Sequence, residues 1–409
     1  MFESTSFPDP NILKAKVSTG FVSLLDELTG SRSEQQVSVL YSSSGARYEL
    51  GEVLKEAIYG AVIRARLLKP VPSSSPTFIR TSISYAVKVY SKELLFAAGD
   101  YSNKENPIME LGALQYISGK HSNLIEQIEC CADEEFIYSI LRYYPGGELF
   151  DHIANHGPMG ELEAKIAFYN LLRALLKLRD LGIVHRDISL ENILYQPSSS
   201  TNLLPQMVLI DFGLCTRMTK DHHHPHTLYN SSRTASASAS AAASSPICGK
   251  RNYIPPEILA ENNNNSQRGQ YGHASDLWSA GVCLLYMLLG FPAFEYAKED
   301  DVRFAFFLQG KLRELLQHWQ ISLSEIAVDF IYFVLQPNPL HRPSLEDILL
   351  HPWMAEVHDL LGKFPLELSS SSPTLSSAFS TAACTYINTN TAIASLMTKA
   401  SHTKTLVAA

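Results

Sequence analysis

The sequence predicts an α+β chain in two lobes, on three observations. Apolar residues alternate in short runs between Tyr48 and Val89 and again near Phe136–Tyr143, the pattern of half-buried strands. After Gly146-Gly147 the apolar spacing becomes helical. Two Ser-, Ala- and Thr-rich segments, 219–246 and 365–409, carry too few large apolar groups to offset the entropy of ordering. A strand-rich part followed by a helix-rich part places a mixed lobe ahead of a helical one.

The elements follow in chain order. Residues 1–45 read as an N-terminal extension, partly disordered, with one amphipathic stretch around Phe21–Leu28 and then Ser-rich sequence. Three strands come next: Y-E-L-G-E-V-L from Tyr48, Y-G-A-V-I-R-A-R-L-L from Tyr59 and Y-A-V-K-V-Y from Tyr85. Between the last two, K-P-V-P-S-S-S-P-T-F-I-R-T-S reads as a Pro/Ser-rich insertion. A helix near Ile108–Ile117 precedes the strand near Phe136–Tyr143. Helices are then expected over Glu161–Leu181, His273–Leu289, Arg303–Leu316 and Ser324–Leu335. The segment 219–246 also holds the run H-H-H-P-H; an unstructured His run has no preformed metal site.

Composition narrows the class. At 45% hydrophobic and 18% charged residues, the 409-residue chain fits a globular protein with some polar, unstructured sequence. A net charge of −8 argues against a general nucleic-acid binder. Six cysteines without paired C-x-x-C spacing suit a reducing compartment better than a disulfide framework or a zinc site. The N-terminus shows no secretory signal, and the longest apolar run, Val282–Leu289, is too short to span a bilayer. The expectation is a cytoplasmic protein, with nuclear access open, that engages neither membrane nor nucleic acid.

Three polar clusters carry chemistry. Y-A-V-K sets Lys88 on an apolar strand, H-R-D-I-S-L-E-N spans His185–Asn192, and L-I-D-F-G-L ends an apolar strand on Asp211. In this order, at these separations, the chain resembles a eukaryotic-type serine/threonine protein kinase from about Tyr48 to Trp353. The style of E-L-F-D-H-I and H-P-W is nearest the calcium/calmodulin-dependent group. The resemblance implies a two-lobed fold, with an antiparallel-sheet N-lobe carrying one main helix and a mainly helical C-lobe. It further implies ATP and magnesium, and a protein substrate phosphorylated on Ser or Thr. Phosphoryl transfer is mostly positioning and charge neutralisation, so it needs hard oxygens for metal ions and a cation on the phosphates.

On that resemblance Lys88 matches the lysine on the α/β-phosphates and Glu110 its helical partner, with Glu105 as the alternative. Asp187 matches the base, Asn192 and Asp211 the metal ligands. Leu54, Val62 and Ala86 are assigned to the roof of the adenine pocket, Leu194 to its floor and Leu141 to its back. Tyr143 and Tyr144 fall in the hinge, and Glu148 where the family contacts ribose or a basic substrate residue. Asp276 matches a residue that hydrogen-bonds the catalytic-loop backbone, and Arg342 the buried partner of Glu257. Arg186 resembles the arginine that senses a phosphate on the activation segment. Ser244 and Ser245 are its preferred sites, modified by an upstream kinase or by autophosphorylation.

Three positions depart from the pattern. The glycine-rich loop has Lys55, Ala57 and Gly60 where the family has three glycines, which weakens the backbone approach to phosphate. Ser189 stands where the catalytic loop usually carries lysine, and Lys250 where the activation segment usually carries Thr or Ser. Lysine and hydroxyl are thus exchanged between two segments. Either Lys250 supplies the ammonium and Ser189 the hydroxyl, or Lys250 is merely solvated. The same departures leave a scaffold that keeps the fold without turnover as the rival to an active kinase.

Overall fold

The computed structural model describes residues 12–71, 77–98, 105–197, 204–218, 247–260 and 272–363. The N-terminal lobe is a closed barrel of seven strands: β1 (Leu13–Asp26), β2 (Arg32–Ser42), β3 (Arg47–Ala57), β4 (Gly60–Pro70), β5 (Thr77–Ser91), β6 (Gln127–Ala132) and β7 (Phe136–Arg142). Their spatial order is β1-β2-β3-β4-β5-β7-β6. The ring closes where β1 runs parallel to β6, Leu13 opposite Cys131, and β1 also pairs with the start of β5, Ser23 opposite Thr77.

Two expectations are corrected here. Residues 13–42 are two strands of the lobe rather than an extension outside it. Their Leu40 is fully buried, in one cluster with Tyr48, Ala65, Val87, Cys131, Tyr138 and Ile140. Closure relieves the exposed sheet edges that β3 and β6 would otherwise present. The supposed insertion after Leu68 is largely strand as well: Leu68, Lys69 and Pro70 pair with Arg80, Ile79 and Phe78. Phe78 buries against Leu24, Val39 and Leu68, which holds the Ser/Thr-rich sequence in the sheet.

Helix α1 (Lys92–Ala98) follows β5, and α2 (Pro107–Ile117) crosses behind the sheet. Asn106 caps α2 by accepting from the Ile108 and Met109 amides, and Pro107 opens its first turn. Ala113, Leu114 and Ile117 of α2 join the core of the C-terminal lobe.

That lobe contains α3 (Leu149–His156), α4 (Glu161–Asp180), the short strands β8 (Ile183–Val184), β9 (Ile193–Gln196), β10 (Gln206–Leu209) and β11 (Thr216–Arg217), and α5 (Pro256–Leu259) to α11 (Ala355–Lys363). Helix α6 (His273–Leu289) is its buried axis and packs on α4. The single helix expected over Arg303–Leu316 is two, α7 (Val302–Leu308) and α8 (Leu312–His318). They are separated at Gly310, whose φ of +75° breaks the helical path. The remaining helices are α9 (Glu325–Val334) and α10 (Leu345–Leu350). Among the described residues no helix is long and apolar enough to cross a membrane.

Candidate active site

The cleft between the lobes collects the polar clusters. Lys88, on β5, directs its ammonium at both carboxylate oxygens of Glu110 in the first turn of α2, at 2.6 and 2.8 Å. Tyr90, two residues on and so on the same strand face, donates to the same carboxylate at 3.0 Å. Sequence reading missed Tyr90, although the i, i+2 relation was available. Burial alone would lower the Lys88 pKa; the charges of Glu110 and Asp211 outweigh it and hold the ammonium charged. Glu105, the alternative partner, instead sets its side chain beside Gly213, where burial and the Asp211 charge push its pKa up.

The catalytic loop is held from below. Asp276, 3% exposed in the first turn of α6, accepts from the His185 amide at 2.7 Å and the Arg186 amide at 2.8 Å. These bonds fix Arg186 at a φ of +71°, a conformation rare outside glycine. Asp211 has the same kind of backbone, at +64°. The loop's Asn192 donates its amide nitrogen to the Asp187 backbone carbonyl at 2.8 Å and to its carboxylate at 2.7 Å. Asn192 thereby spends its nitrogen on Asp187 and presents its oxygen to a metal. At Asp211 burial favours the neutral acid, but Lys88, the Gly213 amide and Lys250 outweigh it and hold the carboxyl below its usual pKa. An ionised carboxylate and an amide oxygen are the hard donors that magnesium takes. Among the described residues no group of three or more His, Cys, Asp or Glu could hold an ion. A magnesium here would therefore draw its other ligands from phosphate and water, which is its usual habit.

Lys250 reaches into this group. Its ammonium lies 2.8 Å from the Ser189 hydroxyl and 3.4 Å from the Asp187 carboxylate, and its backbone amide donates to the other Asp187 oxygen at 3.2 Å. The close approach requires Gly249. A Cβ there would sit 2.8 Å from the Arg186 carbonyl oxygen, and its φ is +88°. Ser189 is fully buried, so its hydroxyl needs a partner, and Lys250 is one.

The apolar pocket is built as a sandwich. Val62 on β4 and Ala86 on β5 are half-buried neighbours in one sheet, and Leu141 on β7 lies opposite Ala86. Leu194 on β9 is half-buried from the other lobe and pairs with Glu148 across an isolated bridge. The hinge between them carries Tyr143, with the Arg64 guanidinium 5.0 Å from its ring, and Tyr144, packed on the C-lobe core. Gly146 is needed there because a Cβ would lie 1.9 Å from the Tyr195 carbonyl oxygen. Leu54 is 40% exposed at the outer edge of the roof. Glu148 is turned to Lys55, at 2.5 Å. Ser244 and Ser245 lie outside the described residues.

A profile of the protein kinase domain matches residues 77–354, about two thirds of the chain, and starts after the β3–β4 hairpin. The chain is 31% identical over 291 residues to calcium/calmodulin-dependent protein kinase type 1 of Caenorhabditis elegans, covering 70% of this chain and 72% of that one. It is 28% identical to the mouse serine/threonine-protein kinase DCLK3 over 332 residues, which cover 81% of this chain and 36% of that protein. It is 29% identical to CBL-interacting protein kinase 9 of rice over 309 residues, covering 75% of this chain and 56% of that one. The profile match and these relatives agree with the geometry of the cleft: the chain belongs to the protein kinase family, near the calcium/calmodulin-dependent serine/threonine kinases.

Proposed function

We propose that the chain transfers the γ-phosphate of ATP to serine or threonine hydroxyls of a protein substrate. The observation that carries the reading is the completeness of the cleft: Lys88 paired with Glu110, and Asp187, Asn192 and Lys250 bonded to one another beside an ionised Asp211. A scaffold without turnover has no physical use for two buried-edge cations and three metal- or proton-directed side chains so arranged.

Each residue then has a task. Lys88, fixed by Glu110 and Tyr90, orients the α/β-phosphates of the nucleotide. Val62, Ala86, Leu141 and Leu194, with Leu54 at the rim, sandwich the adenine, and the Tyr143–Tyr144 backbone meets its edge. Asp187 orients the incoming hydroxyl and accepts its proton as the oxygen–phosphorus bond forms and the bond to ADP breaks. Magnesium held by Asp211 and Asn192 would neutralise phosphate charge. Lys250 brings a second cation to the phosphoryl in transit, the task usually given to a lysine in the position of Ser189. Ser189 in turn holds Lys250 in place. A phosphate on the activation segment, from an upstream kinase or from the chain itself, acts through Arg186.

The test is magnesium–ATP phosphotransfer, autophosphorylation included, by the wild type and four variants. Asp187→Asn is expected to lose about 10²–10⁴-fold of the rate. Lys250→Thr is expected to lose about 10²–10³-fold. The exchange Ser189→Lys with Lys250→Thr is expected to recover most of it, whereas Ser189→Lys alone crowds two ammonium groups and recovers nothing. Equal signals from the wild type and Asp187→Asn would leave the chain a nucleotide-binding scaffold. A Lys250→Thr variant as active as wild type would remove Lys250 from the mechanism.

A further inference from the structure

The β3–β4 hairpin covers the nucleotide cleft, yet it lacks two of the glycines that let backbone amides close on phosphate. The glycine it keeps has a packing reason. A Cβ on Gly60 would lie 2.0 Å from the Val89 carbonyl oxygen, so no side chain fits there whether or not phosphate binds. Something else must hold the hairpin over the cleft if nucleotide is to stay.

Lys55 stands where the first glycine is missing. On β3 it pairs with Val62 of β4, after register shifts on either side of Val53 that bend the strand towards the cleft mouth. Its side chain crosses that mouth and reaches Glu148 of the other lobe, 93 residues away, at 2.5 Å. Glu148 is itself tied to the cleft floor, its backbone bridged to Leu194. It is the N-cap residue of α3, but its carboxylate makes no capping bond to that helix. An N-cap carboxylate ordinarily turns back onto its own helix amides; this one is spent on Lys55.

The geometry points to Lys55 as a positioning residue of the nucleotide site: its ion pair with Glu148 latches the lid hairpin to the C-lobe and slows escape of bound nucleotide, in place of a glycine backbone cradle. The inference rests on the nucleotide site proposed above. It also reassigns Glu148, which meets a lysine of its own chain instead of standing open to a basic group of the substrate. Lys55 is 58% and Glu148 21% exposed at the side chain, so the latch is shallow and screened by salt.

The test is stopped-flow release of a fluorescent ADP analogue from the full chain with magnesium, at low and high ionic strength. Lys55→Met keeps the length of the side chain and removes its charge; Glu148→Gln removes the opposite charge. Each is expected to speed release by about two- to five-fold at low salt, the range of an exposed pair. Wild-type release should quicken as salt rises, while the two variants stay flat. Reversal of the pair, Lys55→Glu with Glu148→Lys, should restore slow, salt-sensitive release, which a purely structural role for either residue would not produce. Lys55→Met releasing at the wild-type rate, or a reversal that fails to restore it, overturns the latch while leaving the kinase reading intact. A wild-type chain that binds no ADP analogue overturns both.

Discussion

Leu40→Ala tests whether the first two strands belong to the N-terminal lobe. Leu40 sits on β2 between Val17 of β1 and Tyr48 of β3, is fully buried, and shares a cluster with Ala65, Val87 and Ile140 from three other strands. The substitution removes three carbon atoms from a dry site, about 2.4 kcal/mol at roughly 0.8 kcal/mol per buried methylene. The cavity adds to this because a closed barrel cannot collapse easily onto the gap, so the loss should reach about 3–5 kcal/mol. The assay is urea unfolding followed by far-ultraviolet circular dichroism. The control is Val53→Ala on β3, 52% exposed, for which a change within about 0.5 kcal/mol is expected. If Leu40→Ala costs no more than Val53→Ala, residues 13–42 do not share the core of the lobe and the closed barrel is wrong.

Two further outcomes follow from buried charge. Arg342 is 1% exposed at the side chain, forks onto both Glu257 oxygens at 2.7 and 2.6 Å, and also donates to the carbonyls of Gln336, Ala274 and Pro337. Arg342→Ala leaves these acceptors unpaired and should destabilise by about 3–5 kcal/mol in thermal melts, and Arg342→Lys, which cannot fork, should recover little. His121 has its pKa pushed down to about 4, by burial first and then by Arg173 and Lys177. The unfolded chain, with an ordinary histidine near 6.5, binds the proton more readily, so stability should fall as pH drops from about 6.5 towards 4. His121→Gln should flatten that limb of the stability–pH curve, and an unchanged limb would show that His121 is not the group responsible.

What could be read from the sequence was what is local. Pro107–Ile117, Glu161–Asp180 and His273–Leu289 are helices close to the bounds that apolar spacing set, because each buries one continuous face. The chemistry of Lys88, Asp187 and Asp211 was legible because short motifs keep them near their neighbours in sequence. The first two strands hid for the opposite reason. Their outward positions carry Ser, Thr and Gln, as where Thr19 and Ser38 pair through their hydroxyls at 2.7 Å, so the alternation looked like a polar linker. What makes them strands is closure against β6, more than a hundred residues away, and no local window contains that contact. Gly310 is a milder case: one residue with positive φ splits a helix whose apolar spacing runs on past it.

The departures from the kinase pattern show the same division. Sequence placed Lys250 and Ser189 in two segments that a resemblance brings together, and the distances that matter, 2.8 Å to Ser189 and 3.4 Å to Asp187, span more than sixty residues of chain. The pairing was legible because both positions have known places in the fold. Lys55 offered no such handle. From sequence it was only bulk in a tight turn, since nothing local says that a side chain on β3 will meet the first residue of a helix in the other lobe. A substitution that removes a backbone contact can therefore add a side-chain contact elsewhere, and only the folded geometry says which residue receives it. For this chain both altered positions carry the same charge: a lysine lost from the catalytic loop returns from the activation segment, and a glycine lost from the lid is replaced by a lysine that reaches across the cleft. Two cations at the edge of a phosphate site are a coherent arrangement for holding a polyanion, and an incoherent one for a cleft that binds none.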